Sequence, residues 1–136
     1  MSDLGARWLH LRDELLGLAE GECNDIRADI FDVVATQLTL GADAVDNRGL
    51  RVAVYRHIEQ GTTDAQLLEL CDLFFAAVRV ALPRSLKAAP EREAVLDAVT
   101  RVCRETVTVA MLAAVERALQ MRDVLLAGAE DSARTQ

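Results

Sequence analysis

Histidine offers the widest range of chemistry in this sequence, and the chain has two, His10 and His57. His57 stands in the stretch YRHIEQG, residues 55–61, which ends at a glycine. Its imidazole could serve as the axial ligand of a haem iron or as a general base. It could also be a half-buried side chain that bonds a backbone carbonyl. The residues around His57 leave these alternatives open.

The other polar residues give little support for catalysis. The sequence has no glycine-rich phosphate loop, no H-E-x-x-H zinc motif and no G-x-S-x-G nucleophile motif. Asp25, Asp29 and Asp32 stand at helical spacing, which a solvated helix face explains without acid–base chemistry. We therefore expect no enzyme activity and no catalytic residues. We also expect no metal site, unless His57 binds haem.

The cysteines follow neither a disulfide pattern nor a zinc pattern. Cys23, Cys71 and Cys103 are odd in number, and no two of them form a C-x-x-C pair. Each stands among apolar neighbours. We expect them to be buried as small apolar side chains.

Length and composition indicate a single soluble domain. The chain has 136 residues, of which 51% are hydrophobic but only 4% aromatic, so the core should be aliphatic. The formal net charge of −7 disfavours nucleic acid as a direct partner, because phosphate backbones are repelled. No apolar run is long enough to span a membrane, and the start does not resemble a signal peptide. We expect a cytoplasmic protein with no membrane contact.

The hydrophobic periodicity is helical along nearly the whole chain, which predicts an all-α domain. Helices are expected over 3–19, 24–40, 49–60, 64–82 and 90–127. Thr63 and Gln66 form a T-x-x-Q capping box before the fourth of these helices. We predict one domain over residues 1–127, followed by a polar tail or linker over 128–136.

The last predicted helix is too long for the domain. About 37 residues at 1.5 Å each give a length near 55 Å, against a radius of gyration of about 14 Å for a compact chain of this size. One of its two apolar stripes, beginning at Leu96 and Val95, can face the domain core; the other either packs within the domain as well or, as we expect, meets a second partner. A symmetric dimer would pair the 64–82 and 90–127 helices in a four-helix bundle. The predicted contact residues are Val107, Met111, Ala114, Ala118 and Met121.

This order of elements resembles the sensor globins. In globin-coupled sensors the proximal histidine stands in an H-x-x-x-G stretch just before the next-to-last helix, and His57 and Gly61 match that spacing. The chain is also similar to the N-terminal domains of RsbR-type stressosome proteins. Those domains have a globin-like or related helical fold, generally without haem, and pass signals down a C-terminal helix. The resemblance covers roughly residues 25–127.

The resemblance implies a globin-like, haem-free signal-input domain of a bacterial stress-response regulator. Such a domain is a homodimer that acts on a protein partner or a fused effector domain. A pocket for a small apolar or carboxylate ligand would involve His57, Tyr55, Phe31 and Phe74. One alternative is a haem-binding sensor, with His57 as axial ligand and Phe31, Phe74 and Leu38 as pocket walls. Another is a small helical adaptor that binds a protein and has no pocket.

Overall fold

The computed structural model describes residues 4–17, 24–41 and 47–134, and six α-helices account for almost all of them. The helices are α1 Leu4–Leu9, α2 Arg12–Gly17, α3 Asn24–Leu40, α4 Arg48–Glu59, α5 Asp64–Ser85 and α6 Ala89–Arg134. No strand occurs in these ranges, so the predicted all-α class with a long C-terminal helix is confirmed. The globin-like arrangement of the helices stays a prediction.

The predicted first helix is in fact two helices. The Leu11 N–H donates to the Trp8 carbonyl at 2.9 Å, a bond across three residues that tightens the backbone between α1 and α2. α1 packs on α3, whereas α2 packs on α3 and α5. Trp8 and Leu11, on either side of the turn, are both buried. The spacing of apolar residues is therefore the same for one straight helix as for two short helices joined by this turn. The end of the predicted helix, residues 18–19, lies outside the described residues.

The end of α4 is built around Gly61, as its sequence predicts. Gly61 has a φ of 107°, which favours glycine because it has no Cβ. Its N–H donates to the Ile58 carbonyl at 3.1 Å, and the Thr62 N–H donates to the His57 carbonyl at 2.9 Å. These two bonds form a Schellman motif, which satisfies carbonyls that the helix itself leaves unpaired.

α5 begins as predicted and ends later than predicted. The Thr63 hydroxyl accepts from the Gln66 N–H at 3.1 Å, and the Gln66 side-chain oxygen accepts from the Thr63 N–H at 2.8 Å. The capping box is therefore confirmed. The helix continues to Ser85 and includes Pro83, which was expected to follow it. Because Pro83 lies in the last turn, its missing N–H removes little of the backbone hydrogen bonding of the helix. The Pro83 carbonyl accepts from Lys87 Nζ at 3.1 Å.

α6 has 46 residues and is about 69 Å long. The predicted helix end near residue 127 is wrong, because the helix continues through Gly128 to Arg134. A glycine inside a helix costs about 1 kcal/mol relative to alanine, which is too little to end a helix on its own. Among the described helices, none carries an apolar stretch that could cross a bilayer.

A single core joins the helices, and α6 packs against α3, α4 and α5. Most of the core is aliphatic, as the composition predicts. Its aromatic part centres on Trp8, which stacks on Phe31 at 4.7 Å between ring centroids and meets Phe74 edge-on at 6.4 Å. The Trp8 indole N–H donates to the Phe31 carbonyl at 3.0 Å, so the buried polar group is satisfied.

Candidate functional site

The apolar residues that α6 leaves uncovered form the candidate site. The predicted contact residues follow one another at intervals of four, three, four and three positions, so they share one side of the helix. Met111 is 54% exposed and Met121 56%, while Ala118 is exposed and Val107 and Ala114 are half-buried. These five residues are named the interface stripe.

A second apolar row lies beside the interface stripe on the same stretch of α6. Its members are 45–57% exposed, and they are Leu112, Val115, Leu119 and Leu126. Together the two rows cover about half of the helix circumference. A contiguous apolar surface of this length is unusual on a monomer and indicates a binding surface.

The residues of α6 that face the domain core follow a different helical phase. Buried positions recur every three or four residues along the first part of the helix and end at Ala113. The same spacing, continued past Ala113, leads to Glu116, Arg117 and Gln120, which are polar. The exposed apolar rows therefore do not extend the domain core. They face a different direction from the buried side of the helix.

Arg117 fixes α6 at the point where the helix leaves the domain. Its guanidinium donates to the Ile58 carbonyl in the last turn of α4, where a cation is favoured by the helix dipole. Beyond it, Glu59, Met121 and Leu125 help to line an open groove of about 440 Å³. The exposed part of α6 is thus anchored to α4 at its base.

His57 lies against a carboxylate. Its Nε2 is 2.9 Å and 3.0 Å from the two side-chain oxygens of Asp25, which stands in the first turn of α3. The His57 side chain is 15% exposed and that of Asp25 is 50% exposed. The contact joins the C-terminal end of α4, where a basic side chain is favoured, to the N-terminal end of α3, where an acidic side chain is favoured. The H-x-x-x-G spacing itself is accounted for by the Schellman ending of α4.

The aromatic residues of the predicted pocket gather around Trp8. Phe31 is fully buried and Phe74 is 3% exposed, and both contact the Trp8 ring. Tyr55 is half-buried against the same core. The structure therefore brings Phe31 and Phe74 together, and it places the His57 Nε2 at Asp25.

This arrangement does not fit a haem site. An axial histidine directs a ring nitrogen into an apolar cavity that holds the porphyrin. Here the His57 Nε2 faces Asp25, and the Trp8 ring packs against both Phe31 and Phe74. Within the described ranges, no group of three or more His, Cys, Asp or Glu side chains is arranged to hold a metal ion.

The acidic residues of α3 share one face, as their spacing predicts. Asp32 binds Arg12 Nη1 at 2.8 Å, and Asp25 lies at His57. Burial raises the pKa of Asp29, repulsion from Asp25 and Asp32 adds to that effect, and Arg56 opposes it. The cluster is a partly solvated ionic surface between α2, α3 and α4.

A second open groove, of about 560 Å³, lies between α5 and α6. Leu68 and Phe75 line it from α5, and Val107 lines it from α6. Its floor includes Cys71 and Cys103, which are buried as predicted. Cys23 lies outside the described residues. Since Val107 belongs to both features, the groove meets the interface stripe at its N-terminal end.

Comparison of the chain with protein-family models, with curated proteins and with solved structures gives no match. The resemblance to the sensor globins and to RsbR-type domains stays a prediction.

Sequence reasoning missed three residues that organise these sites. Trp8 is not among the site residues predicted from the sequence, although a lone tryptophan with a donor group often anchors a core. Asp25 was assigned to a solvated face, because the spacing within α3 carries no information about α4. Arg117 breaks the apolar pattern of α6, and that break was the available signal.

Proposed function

We propose that this chain is a haem-free regulatory input domain that dimerises through α5 and α6 and relays a signal along α6. The observation that carries the proposal is the change of helical phase after Ala113. Up to Ala113 one side of α6 is buried against its own domain, while Met111, Leu112 and the apolar residues that follow are exposed on another side. A protein surface of this kind is built to be covered by another chain.

A second copy of the chain is the partner that this surface suits best. An isologous contact places the same stripe on both sides of a two-fold axis, so an apolar stripe meets an apolar stripe. Ala114 and Ala118 have small side chains that allow two helices to approach closely. The apolar surface is also wider than a two-helix seam needs, which favours a four-helix bundle that includes α5 of both copies.

The continuity of α6 supports the relay. Its first part packs on α3, α4 and α5, and the part after Arg117 extends about 25 Å along the same axis. A shift of the packed part therefore moves the exposed part as one body. Ligands and partners act on such an element by favouring one of two arrangements of the paired helices.

The resemblance to RsbR-type domains adds the class of signal, a bacterial stress response, and the class of target, a protein partner or fused effector. The surroundings of His57 and Trp8 support the haem-free part of the proposal. A protein-binding adaptor would use the same exposed surface, but for a different chain.

The dimer is tested by sedimentation equilibrium over a range of micromolar concentrations, with Met111→Asp as the disrupting variant. The two-fold axis places two buried charges in the interface, so the dimer should weaken by at least about 100-fold. Val52→Asp is the matched control, because Val52 is 62% exposed on α4, away from the interface stripe. Its dimer affinity should stay within about twofold of the unaltered chain.

A chain that sediments as a monomer at all these concentrations would overturn the dimer, and the adaptor would then be the better proposal. The haem alternative has its own test. Haemin is added to the purified chain and to His57→Ala, and the visible spectrum is recorded. We expect no sharp Soret band in either sample, whereas a band that His57→Ala abolishes would overturn the haem-free assignment.

A further inference from the structure

Two thiols from different helices meet beneath the groove between α5 and α6. The Cys71 Sγ donates to the Cys103 carbonyl at 3.9 Å, so the two residues lie side by side on facing helices. The two residues are 32 positions apart in sequence, so only the packing of α5 on α6 brings them together.

The pair is reachable from solvent although each side chain is largely buried. Cys71 is 3% exposed and Cys103 9%, yet both line the open groove. Leu68 and Phe75 form its apolar wall, and Arg104 stands at its edge. A molecule as small as a hydroperoxide fits in this open groove of about 560 Å³.

We infer that Cys71 and Cys103 form an oxidisable dithiol site that a hydroperoxide converts to an intramolecular disulfide between α5 and α6. The Cys71 sulfur attacks one peroxide oxygen, the O–O bond breaks, and Cys71 becomes a sulfenic acid while water or an alcohol leaves. The Cys103 sulfur then attacks the Cys71 sulfur. The S–O bond breaks and water leaves with the Cys103 proton. The two sulfurs lose two electrons in total, and the peroxide gains them.

The surroundings of the two thiols assign them different parts in this reaction. The hydrogen bond from Cys103 lowers the pKa of the Cys71 thiol, while burial and the charge of Asp72 oppose that effect. Donating this bond, together with burial, raises the pKa of Cys103. Cys71 is therefore the thiol that reacts with peroxide, and Cys103 is the thiol that resolves the sulfenic acid.

The disulfide would act on α6, the helix proposed to relay the signal. A disulfide needs a sulfur–sulfur distance of about 2.05 Å, so the two sulfurs must approach when it forms. Closing it draws α5 and α6 together beside Val107. The inference does not depend on the proposed dimer, since both thiols belong to one chain and a monomer would form the same bond.

The test uses the full chain with Cys23→Ser, so that the third thiol cannot exchange. The reduced protein is treated with hydrogen peroxide, the remaining thiols are alkylated under denaturing conditions, and the intact mass is measured. We expect a loss of about 2 Da, no alkylated cysteine, and full reversal by dithiothreitol. The same treatment in guanidinium should form the bond at least about tenfold more slowly, because unfolding separates the thiols.

Two single variants assign the roles, with circular dichroism to verify folding. Cys103→Ser should accumulate a sulfenic acid on Cys71 that dimedone traps, and Cys71→Ser should leave Cys103 unreacted at the same peroxide dose. The inference is overturned if the Cys23→Ser chain keeps two free thiols. It is equally overturned if its disulfide links two chains, or if folding gives no rate advantage. These outcomes are read from mass and linkage, so they are independent of whether the chain dimerises.

Discussion

The two parts of α6 have similar residue types and opposite surroundings. Before Ala113 the helix buries valines and alanines against three other helices, whereas after Arg117 its leucines, its alanines and Met121 are exposed. Both parts are continuous α-helix. The difference lies in the side of the helix that is apolar, which changes at the boundary between the two parts.

This difference separates folding from association. The first part stabilises the domain, because its apolar side chains leave water when the chain folds. The second part adds little to the domain core, since Gln120 is polar and Val124, which continues the core spacing, is 72% exposed. Its apolar area remains available for a second chain. Substitutions in the first part should therefore change the free energy of unfolding, and substitutions in the second should change association.

The largest expected effect comes from placing one charge in each part. Val102→Asp buries a carboxylate at a position that is 1% exposed and should destabilise the domain by about 4 kcal/mol or more, enough to unfold it. Leu119→Asp makes the same kind of change at a position that is 45% exposed and should leave the unfolding of the monomer nearly unchanged. Urea denaturation at low protein concentration measures both. Equal destabilisation by the two variants would contradict the division of α6.

A gain in volume gives the next largest effect. Ala110 is fully buried, so Ala110→Leu should overpack the core and cost about 1–3 kcal/mol. Ala118 is exposed, so Ala118→Leu should not affect the monomer but should weaken the dimer by separating the paired helices. The two measurements are thermal unfolding and sedimentation. A stable Ala110→Leu variant would show that the core has more room around α6 than its burial indicates.

A smaller effect is expected at the boundary itself. Arg117→Ala removes the donor to the Ile58 carbonyl and should cost about 1 kcal/mol, since the bond is partly solvated. Arg122→Ala is the control, because Arg122 lies in the exposed part and is paired at 3.6 Å only with its neighbour Asp123. Urea denaturation compares the two. If Arg122→Ala destabilised the monomer as much as Arg117→Ala, the contact with α4 would not be what anchors the helix.

The smallest expected effect lies outside α6, in the acidic cluster of α3 that contains Asp29. Because the pKa of Asp29 is raised in the folded state, folding binds a proton there and stability falls as pH rises through that range. Asp29→Asn should therefore stabilise the domain slightly at pH 7, by about 0.5 kcal/mol or less. The advantage should vanish below the ordinary aspartate pKa of 3.8. Urea titrations at the two pH values measure this, and an advantage that grew in acid would contradict the sign.

Local features of the fold could be predicted because their causes are local. Thr63 and Gln66 are three residues apart and complete the capping box by themselves, and Gly61 supplies the backbone angle that ends α4. The exposed rows of α6 could likewise be predicted in part, since spacing alone puts Met111 and Ala118 on one side. The turn between α1 and α2 could not, because it depends on which helices each part meets.

The sequence by itself determined the helical class, most helix starts, the aliphatic core and the excess length of α6. These follow from periodicity, capping residues and composition, which act over a few residues. Only the tertiary structure decided that His57 lies at Asp25, that Trp8 contacts both Phe31 and Phe74, and that Cys71 meets Cys103. The physical reason is that each of these contacts joins separate helices. Their distances depend on how the helices pack, and no spacing within one helix encodes that packing.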